Sequence, residues 1–148
     1  MKELAQAVRS EVERALSVFQ GWSEDDALEA RAEGKWVRKE ILGHLIDSAF
    51  NNHQRFVRAQ LASAYVGPGY TQREWVALHG YRERPWRELL EIWGAANRQL
   101  AAVVERVPAA KLATPCTIGD DPPETLEFVM RDYLRHMQHH LEQIRAEA

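Results

Sequence analysis

Two histidines, His136 and His140, stand four residues apart near the end of the chain. On an α-helix that spacing turns the second ring by roughly 40° and shifts it by one turn, so both rings share a face. Two imidazoles placed this way can grip one divalent metal ion. His139, between them, turns away toward solvent. A catalytic type of metal site needs a third protein ligand and an open position. His44 and His53 are the candidates for that third ligand. An ion held by three neutral histidines can lower the pKa of bound water, hold a thiolate or polarise a carbonyl. Imidazole suits zinc, nickel, iron or copper alike, and zinc and nickel are the expected occupants. Each ligating ring needs an acceptor for its other N–H. Asp132 lies one turn before His136, and Asp47 lies one turn after His44, where it would act as such an acceptor or as a base near the metal. Asn51 and Gln143 fall on the same flanks and are placed to line a pocket, while Tyr133 packs.

Four segments with helical periodicity must position these residues. The first covers about residues 2–20, with Leu4, Val8, Val12, Leu16 and Phe19 as its stripe and Gly21 as its stop. The second covers about 36–61, with Val37, Ile41, Leu45, Ala49 and Phe56 on one side. The third covers about 85–107, opens on Pro85 and ends at Pro108. The fourth covers about 122–146, with Asp121 as its cap and Pro122 at its first position. Its apolar face includes Leu126, Met130, Leu134, Met137 and Leu141. Four such helices, with no strand pattern of useful length, indicate an all-α four-helix bundle formed by a single domain over residues 1–148. The five tryptophans of the chain are read as core and loop packing.

Two connections are long. Residues 62–84 contain Gly67-Pro68-Gly69 and then a short helix over about 71–78, where Thr71 and Glu74 have capping-box spacing. Residues 108–121 read as ordered loop. The first connection bears on the third ligand. His44 lies about eight residues into its helix, and the His136/His140 pair centres about eight residues from the end of the last one. If these helices run antiparallel, His44 is level with the pair, and His53 is roughly 13 Å out of register. If they run parallel, His53 is level instead. A link of two to eight residues suffices between antiparallel neighbours, so the much longer 62–84 segment favours a crossover. With it come an up-down-down-up course and His44 as the ligand. His53, nearer the middle of the apolar arc, is read as a core or helix-contact histidine.

Composition excludes several function classes. The formal net charge of -3 offers no basic field for nucleic acid. No apolar run approaches the roughly 18 residues that cross a membrane, and the first residues lack a signal-peptide core. One cysteine, Cys116, cannot form an internal disulfide, which fits a reducing cytoplasm. It lies in Ala-Thr-Pro-Cys-Thr without basic neighbours, a poor setting for a nucleophile. No Gly-x-Ser-x-Gly is present to mark a serine hydrolase.

The stretch Trp36-x3-Glu40-Ile41-Leu42-Gly43-His44-Leu45-Ile46-Asp47 resembles the second-helix signature of the DinB-like (DinB/YfiT) superfamily. His136-x2-His139-His140-x2-Gln143-Ile144 resembles its last-helix signature. The resemblance covers nearly the whole chain. It implies an up-down-down-up bundle, a metal held by His44, His136 and His140, and a homodimer. It further implies a metal-dependent hydrolase or a thiol-dependent S-transferase, acting on a small molecule, with a low-molecular-weight thiol as partner in the transferase case. The competing expectation is a non-catalytic metal or small-ligand binding module of a stress response.

Overall fold

A computed structural model describes residues 1–146 of the chain. Four long helices dominate: α1 (Lys2–Phe19), α3 (Arg38–Leu61), α5 (Trp86–Glu105) and α6 (Leu126–Arg145). Shorter pieces fill the connections: α2 (Glu24–Ala27), β1 (Tyr65–Gly67), α4 (Gln72–His79), β2 (Pro115–Ile118) and β3 (Glu124–Thr125). The apolar stripes read from the sequence are the faces that pack. Val8, Val12 and Phe19 of α1, Leu42 and Phe56 of α3, Leu89 and Trp93 of α5, and Met130, Met137 and Leu141 of α6 are all buried in one core. No helix among the described residues is long and apolar enough to cross a membrane.

Helix α1 packs on α5 and α6, and α3 packs on α5 and α6. The ends are pinned by polar contacts. The Trp86 indole N–H at the start of α5 donates to the Phe19 carbonyl at the end of α1, 2.9 Å away. Arg9 in the first half of α1 pairs with Glu105 at the end of α5 at 2.7 Å. Arg38 at the start of α3 donates from Nε to the Ile144 carbonyl at the end of α6 at 3.0 Å. The beginning of α3 therefore lies beside the end of α6, which is what brings His44 toward His136 and His140.

Four local expectations need correction. The last helix begins at Leu126, not Pro122, and its cap is Thr125, whose hydroxyl accepts from the Phe128 N–H at 3.1 Å. A residue that precedes proline is driven out of the helical region, so Pro123 holds Pro122 extended, and the chain then enters β3. Strands were not expected, yet β1 pairs with β2 in parallel and β2 with β3 antiparallel. These strands are four residues or fewer, too short to show a period-two pattern. They tie the two long connections to each other. Trp36 lies outside α3, which starts at Arg38 because the Glu40 carboxylate accepts from the Val37 N–H at 2.9 Å. In α4 the Thr71–Glu74 spacing makes a side chain to side chain bond at 2.7 Å, with no hydroxyl cap on the backbone.

Candidate metal centre

The helical period puts His136 and His140 on one side of α6, and the packing of α3 on α6 supplies His44. One ring nitrogen from each of the three lies within 4.8 Å of the others. His44 Nε2 and His136 Nε2 are 3.1 Å apart. Two nitrogens bound to one tetrahedral zinc at about 2.05 Å stand roughly 3.3 Å apart, so the donor set fits such an ion. His44 is fully buried, and its Nδ1 has no hydrogen-bond partner among the described residues. A buried ring whose Nε2 meets only another imidazole is under-satisfied, at a cost of about 1–3 kcal/mol. A cation bound at Nε2 would give that nitrogen a stronger partner than a second imidazole.

The environment keeps the rings neutral. Burial pushes His44 down to about 3, and the nearby His140 and His136 add to the shift. Burial likewise pushes His136 down to about 4, with His140 adding to it and Asp132 opposing it. Burial lowers His140 as well, opposed by its bond to Gln143. Neutral imidazole is the ligating form. The His140 Nδ1 meets Gln143 Oε1 at 2.8 Å, so the side chain placed on this flank by sequence serves as the acceptor that orients the ring. Gln143 also reaches the exposed His139 from Nε2 at 2.9 Å. Trp36 packs against His44, with ring centroids 5.5 Å apart. His53 sits half-buried farther along α3 and takes no part in the cluster.

The two carboxylates behave differently from the roles expected of them. Asp132 pairs with Arg135 on the surface and makes no hydrogen bond to His136 among the described residues. Asp47 is buried and turned to another side of α3. Its Oδ1 accepts from the Tyr81 hydroxyl at 2.6 Å and faces His79 Nδ1 at 3.1 Å, and its Oδ2 has no partner among the described residues. Burial raises the Asp47 carboxyl, against the Tyr81 hydrogen bond and His79. Asn51 is spent on the Asp47 backbone carbonyl at 2.9 Å. Tyr133 is buried and donates its hydroxyl to Asn97. Cys116 is buried on β2, and burial pushes its thiol up.

The Tyr81–Asp47–His79 cluster was missed by sequence reasoning. Trp75 and His79 share a face of α4, but nothing in their spacing points to Asp47. Gly43 offers a clue only in retrospect: a Cβ there would lie 2.1 Å from the Tyr81 ring, so the glycine is what admits that ring against α3.

His136 opens on a cavity of about 320 Å³, whose walls include Ser48, Asn52, Arg55, Tyr70 and Gln72. A second hollow of about 660 Å³ lies beyond Trp36 and Gln143, and Gln72 lines both. Other hollows of similar size, such as the one bounded by Glu11, Arg14 and Gln138, lie away from the three histidines.

A fold of this kind with this site defines a class, and comparison with known proteins agrees. The chain belongs to the DinB superfamily, whose sequence model matches residues 7–144. Among solved structures it is similar to YfiT from Bacillus subtilis, described as a probable metal-dependent hydrolase with an unusual four-helix bundle topology. That likeness has a TM-score of 0.85 at 17% identity, over 96% of this chain and 82% of that one. It is also similar to a mycothiol-dependent maleylpyruvate isomerase, with a TM-score of 0.76 at 15% identity, over 99% of this chain. This chain spans 60% of the isomerase's length. At these identities the likeness establishes the fold. A search of curated proteins by sequence finds no match.

Proposed function

We propose that the protein binds one divalent metal ion, zinc or nickel, through His44, His136 and His140, and acts on a small molecule as a thiol S-transferase or a hydrolase. The observation that carries this reading is the convergence of three neutral, largely buried imidazoles beside a polar cavity. A divalent ion held there would supply a Lewis acid that activates a bound water or thiol. The chain's own residues do the rest. Gln143 fixes the ring of His140. Trp36 packs on the fully buried His44. Ser48, Asn52 and Tyr70 present hydroxyl and amide groups to whatever enters. The same reading includes an up-down-down-up course of the long helices. Its support is the pairing of Arg9 with Glu105, of Gln138 with Glu11 and of Arg38 with Ile144.

Asp47 favours a second reading. With its Oδ1 occupied by Tyr81 and His79, it is a positioning residue and not a base at the metal. A site lacking a carboxylate base also suits a non-catalytic metal or small-ligand binding module. Elemental analysis of tag-free wild type and of His44→Ala, His53→Ala and His136→Ala tests the metal. About one ion per chain is expected, lost in His44→Ala and His136→Ala and kept in His53→Ala. Metal retained in His136→Ala would sink the proposal. Turnover by the zinc-loaded protein in thiol-transfer or ester-hydrolysis screens separates the enzyme from the binding module.

A further inference from the structure

The face of α3 that carries His44 continues as a polar stripe. Ser48, Asn52 and Arg55 follow His44 at steps of three or four, and all three line the cavity that His136 opens on. Arg55 stands out among them. It is half-buried, and among the described residues it has no carboxylate within ion-pair distance. Its guanidinium is nonetheless held in place. It donates to Asn52 Oδ1 at 3.4 Å and to the Pro68 carbonyl at 3.3 Å, and it lies 6.0 Å from the centre of the Tyr70 ring. These are neutral partners, so the guanidinium is oriented without an ion pair. A planar guanidinium fixed in this way matches a carboxylate through two N–H groups.

We infer that Arg55 is the recognition point for a carboxylate on the substrate, at the opposite end of the cavity from the three histidines. The substrate class is then an acyclic or extended small molecule with a metal-seeking group at one end, a thiol in the transferase reading, and a carboxylate at the other. Length follows from the helix. The Arg55 guanidinium contacts Asn52, eight residues beyond His44, which is about 12 Å of helical rise. Allowing for a metal–sulfur bond and a hydrogen bond at the two ends, the span between sulfur and carboxylate is roughly 7 Å. Charge narrows the class further. Asp121 and Asp132 also line the cavity, so a dianion such as phosphate meets more repulsion there than a single carboxylate does. Tyr70, raised to about 12 by burial and by Asp47, stays protonated, with its hydroxyl bonded to Ser48.

The sulfur end rests on the proposed metal site; the carboxylate end does not. Isothermal titration of zinc-loaded protein with 6-mercaptohexanoate and with 6-mercapto-1-hexanol compares ligands that differ only at the far end. The acid should bind at least about tenfold tighter than the alcohol to wild type. In Arg55→Met that preference should vanish with zinc content and melting temperature unchanged, and Arg55→Lys should restore part of it. A wild type with no preference, or the same preference in Arg55→Met, overturns the inference. Hexanoate titrated into zinc-free wild type and Arg55→Met separates the two proposals. Arg55-dependent hexanoate binding by a protein that takes up no zinc would keep the carboxylate subsite and overturn the metal site. Zinc binding with no Arg55-dependent preference would do the reverse.

Discussion

Acid should unfold the metal-free protein through its histidines. His44 is fully buried and held near 3, whereas in the unfolded chain it titrates near 6.5. Between those values the unfolded state binds a proton that the folded state refuses, so stability falls as pH drops below about 6.5. At pH 5 the gap from the unfolded value is about 1.5 units, which is about 2 kcal/mol for His44. His136, held near 4, contributes a similar amount over the same window. The sum of about 4 kcal/mol is a large share of the 5–15 kcal/mol typical of a domain. Carboxylates with lowered values, such as Glu24, lose their contribution only nearer pH 4, outside this window. Asp47, raised by burial, acts with the opposite sign, so the comparison is made against a variant. Urea unfolding of chelator-treated protein, followed by tryptophan fluorescence at pH 7 and pH 5, gives the difference directly. Wild type should lose about 4 kcal/mol and His44→Leu about half of that. Equal losses in the two proteins would refute the claim that burial of His44 sets its protonation.

Two further substitutions probe the surroundings of the site. Gly43→Ala should destabilise the protein by about 1–3 kcal/mol in urea unfolding, because the new methyl group collides with the Tyr81 ring; a gain of about 1 kcal/mol, the ordinary helix preference for alanine, would show that the ring moves freely. Gln143→Leu removes the acceptor on His140 Nδ1 and should weaken zinc binding about 10- to 100-fold in a chelator competition; unchanged affinity would mean that the ring is oriented by packing alone.

What the sequence disclosed depended on whether a residue's role is local. His136 and His140 were legible because a helix converts spacing into direction. His44 was preferred over His53 because the length of the 62–84 connection bears on which way the chain must run. The start of α6 was misplaced because Asp121-Pro122 has the form of a helix cap, while the feature that decides the matter, pairing of β3 with β2, involves backbone groups with no side-chain signature. Asp47 was given a role beside His44 on helical proximity. Its actual partners, Tyr81 and His79, lie more than thirty residues away in sequence and leave no periodic trace.

That misassignment points to how the site is built. Asp47 and His44 sit on the same turn region of α3 but face different neighbours. His44 looks to α6, and Asp47 holds the 62–84 connection through His79 at the end of α4 and Tyr81 just after it. The same connection supplies Gly69, Tyr70 and Gln72 to the cavity wall and the Pro68 carbonyl that holds Arg55. It is anchored at its other end as well, where β1 pairs with β2. A buried carboxylate is costly to keep unless it is hydrogen-bonded, and here its bonds fasten the wall of the cavity to the helix that carries His44 and Arg55. The length of that connection therefore has two structural uses. It carries the chain from the end of α3 to the start of α5, and it closes one side of the space into which His136 opens.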